Sequence, residues 1–210
     1  MMARPLIISD CDEVLLHMIA PFRDWLGETQ GVTFTMNGND FSRSMHYGDG
    51  SAVPGPEMWR LLGAFFDTEM HRQSPIAGAI EGMTQLAQDA DVVILTNLED
   101  HRQEARTRQL ADHGLNIRVF TNQGPKGPAI RAILDEYRPS RAVFIDDIAQ
   151  HHGSAFEVTP DVSRLHLCGE PLLAPHITCA FTQGHAHARI DDWASALPWL
   201  KARLHGDTND

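Results

Sequence analysis

Asp10 and Asp12 stand two residues apart, on either side of Cys11, directly after the apolar run Leu6-Ile7-Ile8. In near-extended chain this spacing turns both carboxylates toward one side, where they can divide labour. One can attack phosphorus as a nucleophile, while the other protonates the leaving oxygen and then activates water. Two carboxylates repel a phosphate dianion, so this chemistry requires a cation. Mg2+, a hard ion that takes oxygen ligands, is the natural choice. The pair Asp146-Asp147, after another apolar run, supplies further ligands. Thr96 and Asn97 offer a hydroxyl and an amide to phosphate oxygens. Lys126, in Gly124-Pro125-Lys126-Gly127-Pro128, offers a point positive charge from a rigid, exposed loop.

The elements that position these groups follow from periodicity. Short apolar runs at 6–8, 92–95, 117–120, 142–145 and 165–167 alternate with helix-length amphipathic stretches, the pattern of an α/β fold with a parallel sheet. Near-continuous apolar strands imply burial on both faces. Four runs lead into polar residues: Asp10 with Asp12, Thr96 with Asn97, Thr121 with Asn122, and Asp146 with Asp147. Ligands of open α/β sheets sit outside the carboxyl ends of the strands. Helices are expected over 75–89, 99–113, 128–137 and 191–204, with Pro198 kinking or dividing the last.

The stretch between Ile8 and Val92 far exceeds the roughly 30 residues of a βαβ unit, so residues 15–74 hold an insertion. Two helix-like stretches, 15–27 and 56–72, flank a segment rich in Gly, Asn, Ser and Asp from Gly31 to Gly55. The division expected is a doubly wound, Rossmann-like core over 1–14 and 75–210 with a small helical cap over 15–74. Trp25, Phe41, Trp59, Phe65 and Phe66 are assigned to the cap's own core.

Composition narrows the function classes. A chain of 210 residues holds one good-sized core with a small subdomain. Net charge of −11 disfavours nucleic-acid backbones and anionic membranes as partners. It leaves room for a small phosphorylated metabolite, because a bound cation inverts the potential locally. Cys11, Cys168 and Cys179 have no paired spacing, and no run approaches a membrane span, so a reducing, cytoplasmic location is expected. The histidines, including His151-His152 and His185-Ala186-His187, lack the spacing of a helical zinc site. His17, just after the first aspartates, is kept as a substrate contact. Cys11 is read as packing into the sheet.

In order and spacing these groups resemble the four motifs of the haloacid dehalogenase-like hydrolase superfamily. Asp10, Asp12 and Val14 match the first, Thr96 the second, Lys126 the third, and Asp146-Asp147 the fourth. The resemblance covers residues 6–155 and implies a phosphatase with a helical cap inserted after the first motif. It implies Asp10 as nucleophile and Asp12 as acid/base. Magnesium would then be held by side-chain oxygens of Asp10 and Asp146 and by the Asp12 backbone carbonyl, with Asp147 second to them or on bound water. Asp12 speaks against a dehalogenase, since members attacking carbon lack that residue. Two positions depart from the pattern: Glu13 stands where Gly or Ser is usual, and His151 where Asn or Asp often follows the acidic pair.

The resulting expectation is a magnesium-dependent phosphatase acting on a small phosphate monoester through an aspartyl-phosphate. A phosphotransferase using the same intermediate, and a catalytically idle binding protein on this fold, are the alternatives. A receiver domain is rejected, because there the acidic pair precedes the phosphorylated Asp. Substrate identity and oligomeric state are not legible in these residues.

Overall fold

The apolar runs assemble side by side. In the computed structural model, which describes residues 3–36 and 41–206, β1 (Leu6–Ser9) is followed by α1 (Ile19–Trp25), β2 (Val32–Phe34), β3 (Met45–Tyr47) and α2 (Gly55–Thr68). Then come α3 (Ala79–Asp89), β4 (Asp91–Thr96), α4 (Gln103–Asp112), β5 (Arg118–Thr121), α5 (Gly127–Tyr137) and β6 (Ala142–Asp146). The chain ends with α6 (Ala149–Val158), β7 (Ser163–His166), β8 (Ala188–Arg189) and α7 (Trp193–His205). One six-stranded parallel sheet runs β5-β4-β1-β6-β7-β8.

Alternation along each strand feeds two cores. Ile7, Ile94, Val143 and Ile145 meet Met83 and Leu86 of α3, Leu110 of α4, and Trp193 and Leu200 of α7. Leu6, Ile8, Val93, Leu95 and Phe144 face the other way, against Ile130 and Ile133 of α5 and Ala155 of α6. With both faces covered, the strands read as continuous apolar runs. The winding reverses at β1, which lies between β4 and β6, so the crevice for a ligand opens at its carboxyl end.

The tryptophan at the start of α7 reaches into this crevice's support. Trp193 Nε1 donates to the carbonyl of Val14 at 2.8 Å. Its ring lies over Gly82, where a Cβ would come within 2.7 Å of it. Only glycine lets α3 and α7 approach this closely.

Several elements differ from expectation. α3 begins at Ala79 rather than near Pro75, because Gly78 turns the chain at φ +80 and Pro75 is bridged to Leu16. α7 runs unbroken through Pro198, held by the buried face Trp193, Ala196, Leu200 and Leu204. The segment 31–55, expected as a loop, contains the antiparallel pair β2–β3, with Val32 and Phe34 buried and Thr33 exposed between them; residues 37–40 within it lie outside the described residues.

Residues between β1 and β4 build a separate cluster in which Phe22, Trp25, Phe34, Met45, Leu61, Phe65 and Phe66 pack together. Phe22 and Phe65 meet edge to face with centroids 5.4 Å apart. Trp59, assigned to that core from its sequence, is 66% exposed. The buried residues of α2 are Met58, Leu61, Phe65 and Phe66, and Trp59, the residue after Met58, is left in solvent. The chain leaves and returns through two adjacent linkers: His17 N donates to Ser74 O at 2.9 Å, and Ile76 N to Leu15 O at 2.8 Å. Among the described residues no helix is long and apolar enough to cross a membrane.

Candidate active site

Strand register brings the first and fourth acidic groups together. Ser9 is level with Ile145, and the Asp10 amide donates to the Ile145 carbonyl at 2.8 Å, which places Asp10 beside Asp146. Asp10, Asp146 and Asp147 each offer a carboxylate oxygen within 4.8 Å of the others, and all three are buried. Lys126 lies at the N-cap of α5, and Gly127 lets that helix start against α6, since a Cβ there would strike the Ser154 carbonyl. This brings Lys126 Nζ to 2.9 Å from Asp10 Oδ1 and 2.7 Å from Asp146 Oδ2.

Lys126 is therefore not the exposed cation expected from its Gly-Pro loop. It is fully buried and bridges two carboxylates. The Pro and Gly residues around it signal a sharp turn, and that turn folds inward.

The charges in this pocket are unbalanced. Burial pushes Asp10 up to about 7, with Asp146 and Asp12 adding to the effect and Lys126 opposing it. Burial raises Asp147 far above the usual carboxylate range, helped by Asp146, Asp10 and Glu13. Asp146 is also penalised by burial, but Lys126, His151 and His152 outweigh it and hold its carboxyl low. Lys126 is held charged by Asp10 and Asp146 against the penalty of its burial. Asp10 Oδ1 has ion-pair proximity to Lys126 yet no aligned hydrogen-bond partner. Three clustered carboxylates facing one lysine, two of them pushed toward protonation, are a donor set that suits a hard divalent cation.

Asp12 is held by a different set of partners. Arg106 Nη2 donates to Asp12 Oδ1 at 2.9 Å and Oδ2 at 3.1 Å, while Nη1 reaches Cys11 Sγ at 2.8 Å. Gln73 Nε2, on the returning linker, donates to Asp12 Oδ1 at 2.7 Å, and Gln109 of α4 leans on the Met70 carbonyl. Arg106 is completely buried, and the sequence reading did not single it out. The signal was there: Arg106 stands one helical turn before the buried Leu110, on the inward stripe of an otherwise polar helix. Cys11 is buried as expected, and burial pushes its thiol up to about 12.

Thr96 ends β4, buried, one strand over from β1. Asn97 is less available than a phosphate ligand should be. Its Nδ2 donates to Gly124 O at 2.9 Å and its Oδ1 accepts from Asn122 at 2.8 Å, tying together the loops after β4 and β5. His151 Nε2 lies 3.4 Å from the same amide. Burial holds His151 below the usual histidine value.

The unusual Glu13 adopts φ +59, a left-handed conformation rare outside glycine. Its Oε1 folds forward to accept from the amides of Met18, at 2.9 Å, and Ile19, which offsets the strain by satisfying the start of α1. Burial, with Glu170 and Asp12 adding, pushes Glu13 up to about 8. His17, expected against substrate, places Nδ1 2.8 Å from Glu170 Oε2.

Solved structures share this arrangement of strands and helices. A haloacid dehalogenase-like family protein from Streptococcus pneumoniae superposes with a TM-score of 0.67 at 11% identity, covering 95% of this chain and 98% of that one. A HAD family hydrolase from Deinococcus radiodurans, solved with bound phosphate and sodium, gives 0.66 at 18% identity over 95% and 96%. A conserved haloacid dehalogenase-like protein of unknown function from Agrobacterium tumefaciens gives 0.66 at 15% identity over 94% and 97%. The chain has the haloacid dehalogenase-like fold. No protein-family model and no curated protein matches the sequence. At these identities the likeness lies in the fold.

Proposed function

We propose that this haloacid dehalogenase-like chain is a magnesium-dependent phosphatase that hydrolyses a small phosphorylated metabolite, with residues 15–74 as its cap. The observation that carries the reading is the convergence of Asp10, Asp146 and Asp147 within 4.8 Å at the carboxyl end of the central strand, with Lys126 between two of them. The phosphate bound to the fold relative from Deinococcus radiodurans supports it by analogy.

Magnesium would be held by Asp10, Asp146 and the Asp12 backbone carbonyl, with Asp147 beside them, and would supply charge neutralisation for phosphoryl oxygens. Asp10 attacks phosphorus in line, the bond to the leaving oxygen breaks, and Asp12 delivers the proton that oxygen needs. Water then attacks phosphorus of the aspartyl-phosphate, giving its proton to Asp12, and inorganic phosphate leaves Asp10 as a carboxylate. Arg106 and Gln73 keep Asp12 in place through both steps, and Thr96 offers its hydroxyl to the phosphate.

Rapid mixing of Asp10→Asn and Asp12→Asn with an aryl and an alkyl phosphate tests these roles. Asp10→Asn is expected to be inactive on both. Asp12→Asn is expected to release a burst of phenolate near one equivalent, then turn over slowly, and to fail on the alkyl ester. Equal losses on both esters with no burst would remove Asp12 from proton transfer. Transfer of phosphate to an added alcohol in preference to water would favour a phosphotransferase.

A further inference from the structure

A second group of metal-type donors lies at the point where the chain leaves the core. Glu13, His17 and Glu170 each present a donor atom within 4.8 Å of the other two. Glu13 comes from the turn after β1, His17 from the outgoing linker, and Glu170 from the loop after β7. An independent observation points to a ligand. Glu13 is 2% exposed, its Oε1 is engaged by two backbone amides, and its Oε2 is buried with no hydrogen-bond partner.

Glu170 is 3% exposed, and its Oε1 accepts from Leu172 N at 2.8 Å, which leaves Oε2 toward His17. Atoms bound about 2.0–2.2 Å from one tetrahedral zinc ion stand about 3.3–3.6 Å apart. The 2.8 Å between His17 Nδ1 and Glu170 Oε2 is a hydrogen-bonded contact that would open by about 0.5–0.8 Å to admit such an ion. His17 keeps a quarter of its side chain exposed, which gives an ion a way in from solvent.

We propose that Glu13, His17 and Glu170 form a second divalent-cation site, of the mixed imidazole and carboxylate type that takes zinc. Imidazole sets it apart from the all-carboxylate group at Asp10, which suits magnesium. The proposal does not depend on the phosphatase reading. A bound ion would clamp the outgoing linker to two points on the core.

Calorimetric titration of metal-stripped protein with Zn2+, in an Asp146→Asn background that weakens the Asp10 group, provides the test. One Zn2+ per chain is expected, with affinity falling at least tenfold when His17→Gln or Glu170→Gln is added; circular dichroism beforehand confirms that each variant folds. No saturable uptake, or a smaller loss in either variant, overturns the proposal. If a variant does not fold, histidine-ring NMR of the wild-type chain saturated with Mg2+ decides the matter. Zn2+ must then move the His17 ring resonances at one equivalent, and unmoved resonances overturn the site.

Discussion

Arg106 Nη2 sits 2.9 and 3.1 Å from the two oxygens of Asp12, joining α4 to the turn after β1. The guanidinium is fully buried and also touches Cys11. Removing one partner leaves the other's charge without compensation. Arg106→Met is expected to lose about 3–5 kcal/mol of stability, read by denaturant unfolding, with at least a tenfold loss of turnover. Arg106→Lys should recover part of the stability and little of the activity, because an ammonium cannot span Asp12 and Cys11 together. The double variant Arg106→Met with Asp12→Asn should be less unstable than the two single losses summed. Additive losses would show that the pair is not coupled.

Lys126 makes the corresponding contact on the other side. Because it is buried between Asp10 and Asp146, Lys126→Met should weaken folding of the metal-free protein by about 3–5 kcal/mol. Added Mg2+ should restore part of the lost melting temperature. Turnover should fall roughly a hundredfold or more, the cost of losing one positioned charge. Unchanged melting would contradict the buried bridge.

Stability should depend on pH in a direction set by this cluster. Asp10 and Glu13 titrate near 7 and 8, and Asp147 far above the ordinary carboxylate range. Each binds its proton more tightly folded than unfolded. Its contribution is therefore fully present below the unfolded carboxylate value and is lost as pH rises through the folded one. Asp146 is shifted the other way, but its contribution is lost only below the ordinary carboxylate value. His151, His152 and His166, held below the usual histidine value by burial, add stability as pH rises to about 6.5 and oppose the carboxylates up to there. Above about pH 6.5, where these histidines are neutral in both states, the metal-free protein should thus lose melting temperature up to about pH 8. Mg2+ should raise melting more at the alkaline end, where it no longer competes with protons. A flat profile would mean that the carboxylates are not buried together.

Chelation gives the simplest check on the ion. Activity should vanish in excess chelator, return with Mg2+, and return poorly with Ca2+, whose looser coordination disturbs in-line geometry. Full turnover in chelator would end the magnesium reading.

The ligand-bearing ends of the strands were legible because burial on both faces makes each strand a continuous apolar run, and polar residues interrupt it where the sheet meets solvent. Asp10, Thr96 and Asp146 were found that way. What stayed hidden depends on contacts between distant segments. Arg106 meets Asp12 across 94 positions of sequence, and Glu170 meets His17 across 153. Lys126 was found but misplaced, because Gly and Pro report a turn without saying which way it faces. The β2–β3 pair escaped because three-residue strands carry too little alternation to be recognised.

The two linkers at His17 and Ser74 run side by side, joined by a backbone hydrogen bond. An insert whose ends already meet closes almost no extra loop in its host. The whole excursion from Met18 to Gln73 can in principle be exchanged like a cassette, leaving the parallel strands, Asp10 and the acidic pair untouched. Grafting a foreign insert at these ends should change which molecules are accepted far more than whether the sheet folds. Gln73 is the exception, because it travels with the cassette yet holds Asp12. A graft that omits a donor at that position would inherit the scaffold and lose a support of Asp12.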